Sequence, residues 1–300
     1  MVSRRKKYAS PGAWLMAARP KTLTGATVPV LIASAAAWNQ DVFAFLPSLL
    51  CLLFAWLMQI DANLINDLCD YLKGSDTGMR LGPERACASG RISPAEMKTG
   101  IALCSAAALC CGFPLVFYGG WRMVAVGLLS AVFAFLYSAG PYPLSRHGLG
   151  DILVLVFFGL VPVCCTYYVM GHDIPGWLWP LALSCGLVID TMLIINNYRD
   201  IDQDRDSGKR TSVVLMGRKP ARILYLCCGI VAVILPAVCL FDVTSGWILL
   251  AAAYLPFHLH AWSEMGRRSG KGLAPVFART SVNMLLWGLL TAAGLCMKFV

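Results

Sequence analysis

Long apolar runs constrain the fold of this chain more than any other feature of its sequence. Each run approaches the roughly 20 residues that an α-helix needs to cross a bilayer. The runs cover residues 22–38, 44–66, 98–118, 121–138, 151–170, 176–196, 221–240, 245–260 and 280–298. With 58% hydrophobic and 14% charged residues, the composition is typical of a membrane protein. The sequence predicts an all-α, polytopic bundle of nine transmembrane helices in a lipid bilayer, forming one domain over residues 1–300.

The distribution of basic residues predicts how this bundle is oriented. If the N-terminus is cytoplasmic and the spans alternate, all 25 Lys and Arg residues except Arg122 and Lys298 fall in cytoplasmic segments. An excess of Lys and Arg marks cytoplasmic loops. We therefore expect cytoplasmic cap loops and a location in the cytoplasmic (inner) membrane. Topology also explains the net charge of +9, so we expect no nucleic-acid partner.

Two apolar runs end in stretches that are rich in carboxylates, Gln59–Asp76 and Asp190–Asp204. Polar residues recur every four positions in both stretches, so on helices they form one stripe each. These residues are Asn66 and Asp70 in the first stretch, and Asn196, Asp200 and Asp204 in the second. Three spans separate the two helices, so both stretches leave the membrane on the same side. The sequence predicts a pseudo-twofold pair of acidic helix ends that face a central cavity, with the site on the cytoplasmic side.

Asp61 and Asp190 lie within apolar runs, where ionisable groups are costly and usually functional. The carboxylates nearer the helix ends are suited to Mg²⁺, which usually binds one or two carboxylates and completes its coordination with substrate phosphates. Basic residues that can contact phosphate lie in the neighbouring loops: Arg19, Lys21, Arg80, Arg85, Lys209 and Arg210. A diphosphate bound beside a lipid-facing cavity indicates a polyprenyl diphosphate substrate, whose tail dissolves only in the bilayer.

Several motifs resemble those of the UbiA superfamily of intramembrane aromatic prenyltransferases, and the resemblance covers nearly the whole chain. They are Ala18-Arg-Pro-Lys-Thr22, Asn63-Leu-Ile-Asn-Asp67 with Asp70 and Lys73-Gly-Ser-Asp76, Arg80-Leu-Gly-Pro-Glu-Arg-Ala86, Gly140-Pro-Tyr-Pro-Leu144 with Gly148-Leu-Gly-Asp151, and Asn196-Asn-Tyr-Arg-Asp200 with Asp204 and Gly208-Lys-Arg-Thr211. The step of six residues from Asp70 to Asp76 is similar to the branch of the family that acts in menaquinone biosynthesis. The resemblance implies Mg²⁺-dependent transfer of a polyprenyl group to 1,4-dihydroxy-2-naphthoate, with loss of its carboxyl group.

The resemblance also implies roles for individual residues. Those expected to bind Mg²⁺ are Asn66, Asp70, Asp76, Asn196, Asp200 and Asp204, with Asp70 and Asp200 central to catalysis. Lys21, Arg85 and Lys209 are expected to contact phosphate, and Asn63 to contribute to substrate binding. The segment from Tyr137 to Asp151 is expected to border the aromatic acceptor, with Tyr137 and Tyr142 in contact with substrate and Asp151 catalytic.

Alternative functions stay open at the level of sequence. The acceptor could instead be 4-hydroxybenzoate or homogentisate. A cation-coupled transporter also uses buried acids and repeated bundles, but its site usually lies near the membrane midplane. Here the main motifs lie where apolar runs end, which favours an enzyme. The signature Asp-Gly-x₂-Ala-Arg of the CDP-alcohol phosphotransferases, another class of membrane enzyme with carboxylates, is absent from the sequence.

Overall fold

The computed structural model describes residues 9–74, 81–82 and 84–297, and the regular structure within these ranges is entirely helical. Asp76 and Arg80 lie outside the described residues. The α-helices are α1 (Pro11–Ala18), α2 (Leu23–Asn39), α3 (Phe45–Leu72), α4 (Pro94–Gly112), α5 (Val116–Gly119), α6 (Arg122–Ser138), α7 (Gly150–Val154), α8 (Val161–Gly171), α9 (Leu178–Asp206), α10 (Ser212–Met216), α11 (Arg218–Cys239), α12 (Leu255–Arg267) and α13 (Ala274–Cys296). The predicted all-α class is confirmed.

Among the residues that the structure describes, six helical segments are long and apolar enough to cross a membrane. They are Phe45–Leu72, Pro94–Gly119, Gly150–Gly171, Leu178–Asp206, Arg218–Cys239 and Gly270–Cys296. The chain is therefore a multi-pass membrane protein. Helices α2 and α6 have 17 residues each, about 26 Å, which is slightly less than the roughly 30 Å hydrocarbon core. The predicted number of nine spans stays a prediction. The apolar run 245–260 folds as a 3₁₀ segment, Trp247–Tyr254, that continues into α12.

Helices α3 and α9 carry the two acidic stretches and have 28 and 29 residues. At 1.5 Å per residue each is about 42 Å long, so it exceeds the roughly 30 Å hydrocarbon core by about two turns. The apolar part of each helix fits the membrane, and its polar C-terminal turns extend beyond that part. The apolar part of helix α9 is more buried than that of the other five long segments, which places this helix at the centre of the bundle.

The connection from α7 to α8 runs through a π-helical segment, Leu155–Leu160, whose backbone touches α9. A Cβ atom at Gly159 would lie 2.6 Å from the carbonyl oxygen of Ala182, and one at Gly186 would lie 2.9 Å from Cα of Leu155. Real Cβ atoms do not approach backbone so closely, so both positions need glycine. This contact fixes the start of α7, where Asp151 lies, against α9.

Candidate active site

One cavity of about 1860 Å³ begins where α3 and α9 end and continues into the apolar bundle. Its polar end is lined by Arg19, Lys21, Asn63, Asn66, Asp70, Lys73, Arg85, Asn196, Arg199, Asp200, Asp204 and Lys209. Its apolar part is lined by Phe54, Met58, Leu109, Phe113, Met123, Leu128, Phe133, Phe157 and Phe158. The structure therefore brings both predicted acidic stretches to one space that is polar at one end and apolar beyond it.

In the first stretch, Asn66 and Asp70 converge on one guanidinium group. Nη2 of Arg85 donates to Oδ1 of Asn66 at 2.5 Å and to Oδ2 of Asp70 at 2.7 Å. Arg85 is 6% exposed and Asp70 is 24% exposed, so water screens this pair only in part. Arg19 also donates to Oδ1 of Asn66, at 3.2 Å. The i, i+4 spacing thus produces the shared face that the sequence predicts.

Asp67 has a different role from its neighbours, although the sequence places it in the same acidic stretch. Its two oxygens accept hydrogen bonds from the backbone N–H groups of Ala86 (2.9 Å) and Cys87 (3.0 Å), and the side chain is 1% exposed. Asp67 therefore fastens the loop that carries Arg85 to α3. The bond holds Arg85 beside Asn66 and Asp70.

The second stretch repeats the arrangement with an arginine that sequence reasoning did not select. Arg199 donates to Oδ1 of Asn196 at 2.8 Å, and to Oδ1 and Oδ2 of Asp200, both at 2.7 Å. Its side chain is 4% exposed, and its guanidinium carbon lies 5.8 Å from the ring centroid of Phe277. Each stretch therefore pairs one Asn and one Asp with one buried arginine. The signal was available in the sequence, because Arg199 lies inside the Asn196–Asp200 motif.

Asp204 and Lys209 meet where α9 turns into the following loop. Nζ of Lys209 lies 3.3 Å from Oδ1 of Asp204, and the backbone N–H of Lys209 donates to the carbonyl oxygen of Asp204 at 2.8 Å. Gly208 between them has φ +71°, a left-handed conformation that favours glycine. The turn folds Lys209 back over the acidic helix end, beside the cavity.

The turn between α1 and α2 brings further cations to the cavity. Arg19 has φ +51°, and the 3₁₀ turn Pro20–Thr22 follows it directly. Asn63 holds this turn, because its Nδ2 donates to the carbonyl oxygen of Ala18 and to Oγ1 of Thr22, both at 3.0 Å. Asn63 is only 6% exposed, so the structure gives it mainly this anchoring contact. Lys21 is exposed at the cavity wall.

Of the residues expected near the acceptor, the structure brings Tyr137 and Asp151 to the cavity wall. The Tyr137 hydroxyl lies 3.9 Å from the position of a Cβ at Gly150, so it adjoins the start of α7. The structure does not bring Tyr142 to the cavity wall, and its contact with substrate stays a prediction. It is 59% exposed, is not among the cavity-lining residues, and stacks on His147 with ring centroids 3.4 Å apart. The turn after α6 directs its ring to the surface, where an aromatic residue also suits a membrane interface.

The sequence model of the UbiA prenyltransferase family matches residues 26–296 of the chain. The chain belongs to this family. Membership in the UbiA family explains why two Asn/Asp stretches face one membrane cavity, and it favours the enzyme over the transporter. The resemblance of the motifs is thereby confirmed at the level of family.

Several curated relatives from the UbiA family are similar over almost their whole length. The chain is 38% identical to the 1,4-dihydroxy-2-naphthoate octaprenyltransferase of Escherichia coli, covering 94% of each protein. It is 35% identical to the enzyme of that name from Haemophilus influenzae, over 94% of this chain and 95% of the relative. It is 31% identical to the enzyme of that name from Mycobacterium tuberculosis, over 96% of this chain and 98% of the relative.

Solved structures with the same fold share less sequence. A UbiA homolog from Archaeoglobus fulgidus bound to DMAPP and Mg²⁺ has a TM-score of 0.63 at 17% identity, covering 93% of this chain and 99% of that one. A UbiA homolog from Aeropyrum pernix has a TM-score of 0.68 at 17% identity, covering 90% of this chain and 96% of that one. These similarities confirm the fold.

The donor atoms of the two stretches fit a Mg²⁺ ion that shares its coordination with a diphosphate. Within the described ranges, no group of three or more His, Cys, Asp or Glu side chains is close enough to hold a metal unaided. Mg²⁺ needs only one or two carboxylates from the protein, because phosphate and water oxygens supply the rest. The oxygens of Asn66 and Asp70 already converge on one cationic group, Arg85, so they can share a cation. Asp76 lies outside the described residues.

Proposed function

We propose that this protein transfers a polyprenyl group from a polyprenyl diphosphate to 1,4-dihydroxy-2-naphthoate, with loss of carbon dioxide, in menaquinone biosynthesis. One observation carries the proposal: two Asn/Asp pairs, each bound by a buried arginine, line the polar end of a cavity whose other part is apolar. The relatives that share 31–38% of its sequence are named for this reaction. The assignment of the acceptor rests on those relatives and on the motifs, and the assignment of the prenyl donor rests on the cavity.

Six residues are proposed to hold Mg²⁺ and, through it, the diphosphate: Asn66, Asp70, Asp76, Asn196, Asp200 and Asp204. A structural neighbour was solved bound to DMAPP and Mg²⁺, which supports Mg²⁺ and a prenyl diphosphate as ligands of this fold. When bound, Mg²⁺ would neutralise negative charge on the departing diphosphate. Around it, Arg85 and Arg199 hold the oxygens of the two stretches in place. Lys21, Arg85 and Lys209 are proposed to contact phosphate oxygens directly.

The apolar part of the cavity is proposed to hold the prenyl tail. Departure of the diphosphate leaves an allylic cation, which water would destroy. The phenyl rings of Phe133, Phe157 and Phe158 line the wall and exclude water, and their faces can stabilise a nearby cation. A dry, aromatic-lined space directly beside a polar end is the arrangement that this chemistry requires.

The acceptor is proposed to bind beside Tyr137 and Asp151. The ring carbon that bears the carboxylate is activated by the neighbouring hydroxyl group and attacks the allylic carbon. The C–O bond to diphosphate breaks first, and its electron pair leaves with the diphosphate; the new C–C bond then forms between the allylic cation and this ring carbon. The bond to the carboxylate then breaks, carbon dioxide leaves, and the ring becomes aromatic again. Asp151, which lines the cavity, is proposed to accept the hydroxyl proton during attack and to return it to the ring oxygen afterwards.

Acceptor labelled at its carboxyl carbon tests this assignment. Membranes that carry the protein, incubated with Mg²⁺ and a prenyl diphosphate, should release labelled carbon dioxide in step with prenylated naphthol and diphosphate. Membranes without the protein are the control. A 4-hydroxybenzoate enzyme would substitute beside the hydroxyl group and keep the carboxylate, so prenylated product that retains the label, or activity only with monocyclic acids, would rule out the naphthoate assignment.

The active site is proposed to face the cytoplasm, at the inner membrane. Helix α9 is about 43 Å long, so Arg205 near its C-terminus and Asp173 just before its N-terminus lie on opposite sides of the hydrocarbon core. Both residues are exposed. In a cysteine-free background, Arg205→Cys should react with a membrane-impermeant thiol reagent only in inverted vesicles, and Asp173→Cys only in intact cells. Labelling of position 205 in intact cells would reverse the proposed orientation.

A further inference from the structure

Arg222 is a half-buried cation on α11 that the reaction described above does not use. Its guanidinium carbon lies 5.0 Å from the ring centroid of Trp262 on α12, and the indole N–H of Trp262 donates to the carbonyl oxygen of Arg222 at 3.0 Å. A Cβ at Gly266, one turn further along α12, would overlap this guanidinium group. The indole ring and the bare backbone of Gly266 therefore form a notch that holds the arginine in one place between the two helices.

No carboxylate in the described part of the chain neutralises Arg222. Its buried Nε donates to no acceptor there, and its other nitrogens make no hydrogen bond or ion pair. On α12, Glu264 already accepts from Nε of Arg268 at 2.7 Å. On α9, Asp202 already accepts from Nη2 of Arg218 at 2.8 Å. Because polar groups withdrawn from water need a partner, the donors of Arg222 are suited to an anion from outside the chain.

The position of Arg222 at the membrane surface favours a lipid as the source of this anion. Arg222 lies four residues after the start of α11, about 6 Å along the axis of a helix that is long and apolar enough to cross the membrane. Lys219 lies one turn before Ile223, on the same face, and is exposed. Exposed apolar side chains continue this face towards the other end of α11: Ile223, Val231, Ile234 and Val238. A lipid whose acyl chains lie along them has its phosphate level with Lys219 and Arg222.

We infer that Arg222, held by Trp262 and Gly266, binds the head-group phosphate of an anionic phospholipid. A guanidinium group can donate two parallel hydrogen bonds to phosphate oxygens, and its plane is fixed here by the indole ring. Basic groups beside membrane-crossing helices attract anionic head groups in the same way. Arg222, Trp262 and Gly266 do not line the active-site cavity, so the lipid site is separate from it and does not depend on the proposed reaction.

Native mass spectrometry of the purified, delipidated protein, titrated with dioleoyl phosphatidylglycerol, tests the site. Arg222→Gln removes the charge, and Gly266→Ala fills the notch but keeps the charge, so each should weaken binding of the first lipid by about five- to tenfold. Lys98→Gln is the matched control, because Lys98 is an exposed cation that also lies four residues after the start of its helix, α4. This control removes the same charge without touching the notch, so its affinity should stay within about twofold of the native value.

Two further ligands identify the source of the phosphate. Glycerol phosphate, which has no acyl chains, should not displace the lipid at equal concentration, and dioleoyl phosphatidylcholine, whose choline cation offsets the phosphate charge, should bind about fivefold more weakly. Displacement by glycerol phosphate, equal binding of the two lipids, or equal loss in Arg222→Gln and Lys98→Gln would each overturn the inference. If Arg222→Gln does not fold, Gly266→Ala decides, since it adds only a methyl group within a helix. The readout is lipid binding, so failure of the naphthoate assignment would not alter it.

Discussion

Replacing either Asp70 or Asp200 by alanine is expected to abolish prenyl transfer. Each carboxylate lies at the polar end of the cavity, in contact with a buried arginine, Arg85 for Asp70 and Arg199 for Asp200. Removing it deletes a proposed Mg²⁺ ligand at a position where the neighbouring Asn supplies only a neutral oxygen. Loss of one preorganised electrostatic contact typically costs about 100- to 1000-fold in turnover, and loss of a metal ligand should cost at least as much.

Asp202→Ala is the matched control for this experiment. Asp202 lies on α9 two residues after Asp200, but it is 70% exposed and pairs with Arg218 and Arg205. Its replacement should leave turnover close to native, because exposed ion pairs contribute little. All three variants should insert into membranes and be extracted in equal amounts, which separates loss of chemistry from loss of fold.

Removal of the metal provides a second measurement on the same site. A chelator should stop the native enzyme, and added Mg²⁺ should restore it. The concentration of Mg²⁺ that gives half-maximal rate should be unchanged in Asp202→Ala. Near-native turnover of either Asp70→Ala or Asp200→Ala at saturating Mg²⁺ would show that the metal is held elsewhere.

The sequence predicted the stripes of this site because helix geometry alone decides them. Residues four apart share a face on any helix, so Asn66 with Asp70, and Asn196 with Asp200, had to lie together once the apolar runs indicated helices. The charge distribution likewise placed both helix ends on one side. These inferences need only local spacing and alternation of spans, and the structure confirms that both stretches line one cavity.

The contacts made across long sequence separations could not be predicted. Nothing in the spacing distinguishes Asp67, which binds backbone groups about 20 positions away, from Asp70, which faces the cavity. Arg199 is different, because its partners Asn196 and Asp200 are only three and one positions away; the motif contained this contact, but only the structure shows that the side chain is 4% exposed. The 59% exposure of Tyr142 depends on the direction in which the chain leaves α6, which the motif around it does not encode.

Asp67→Ala is expected to disable the enzyme although Asp67 touches neither substrate. The substitution leaves the N–H groups of Ala86 and Cys87 without the carboxylate that binds them. Hydrogen bonds to charged groups are worth about 1.5–3 kcal/mol each, so the loop that carries Arg85 would lose several kcal/mol of its attachment to α3. With Arg85 no longer held beside Asn66 and Asp70, turnover should fall by about 100-fold.

Cys87 reports directly on this attachment, because it is 3% exposed in the native structure. In a variant where Cys87 is the sole cysteine, a thiol reagent should modify it slowly with Asp67 present and rapidly after Asp67→Ala. Asp67→Asn should give intermediate rates, since its one oxygen can still accept one of the two hydrogen bonds. Arg91→Gln, which removes only an exposed ion pair with Glu84 in the same loop, should change neither turnover nor labelling. If Asp67→Ala keeps native turnover and Cys87 stays protected, Arg85 is held by its contacts with Asn66 and Asp70 alone. If Cys87 is labelled rapidly but turnover stays native, the position of Arg85 does not matter for catalysis.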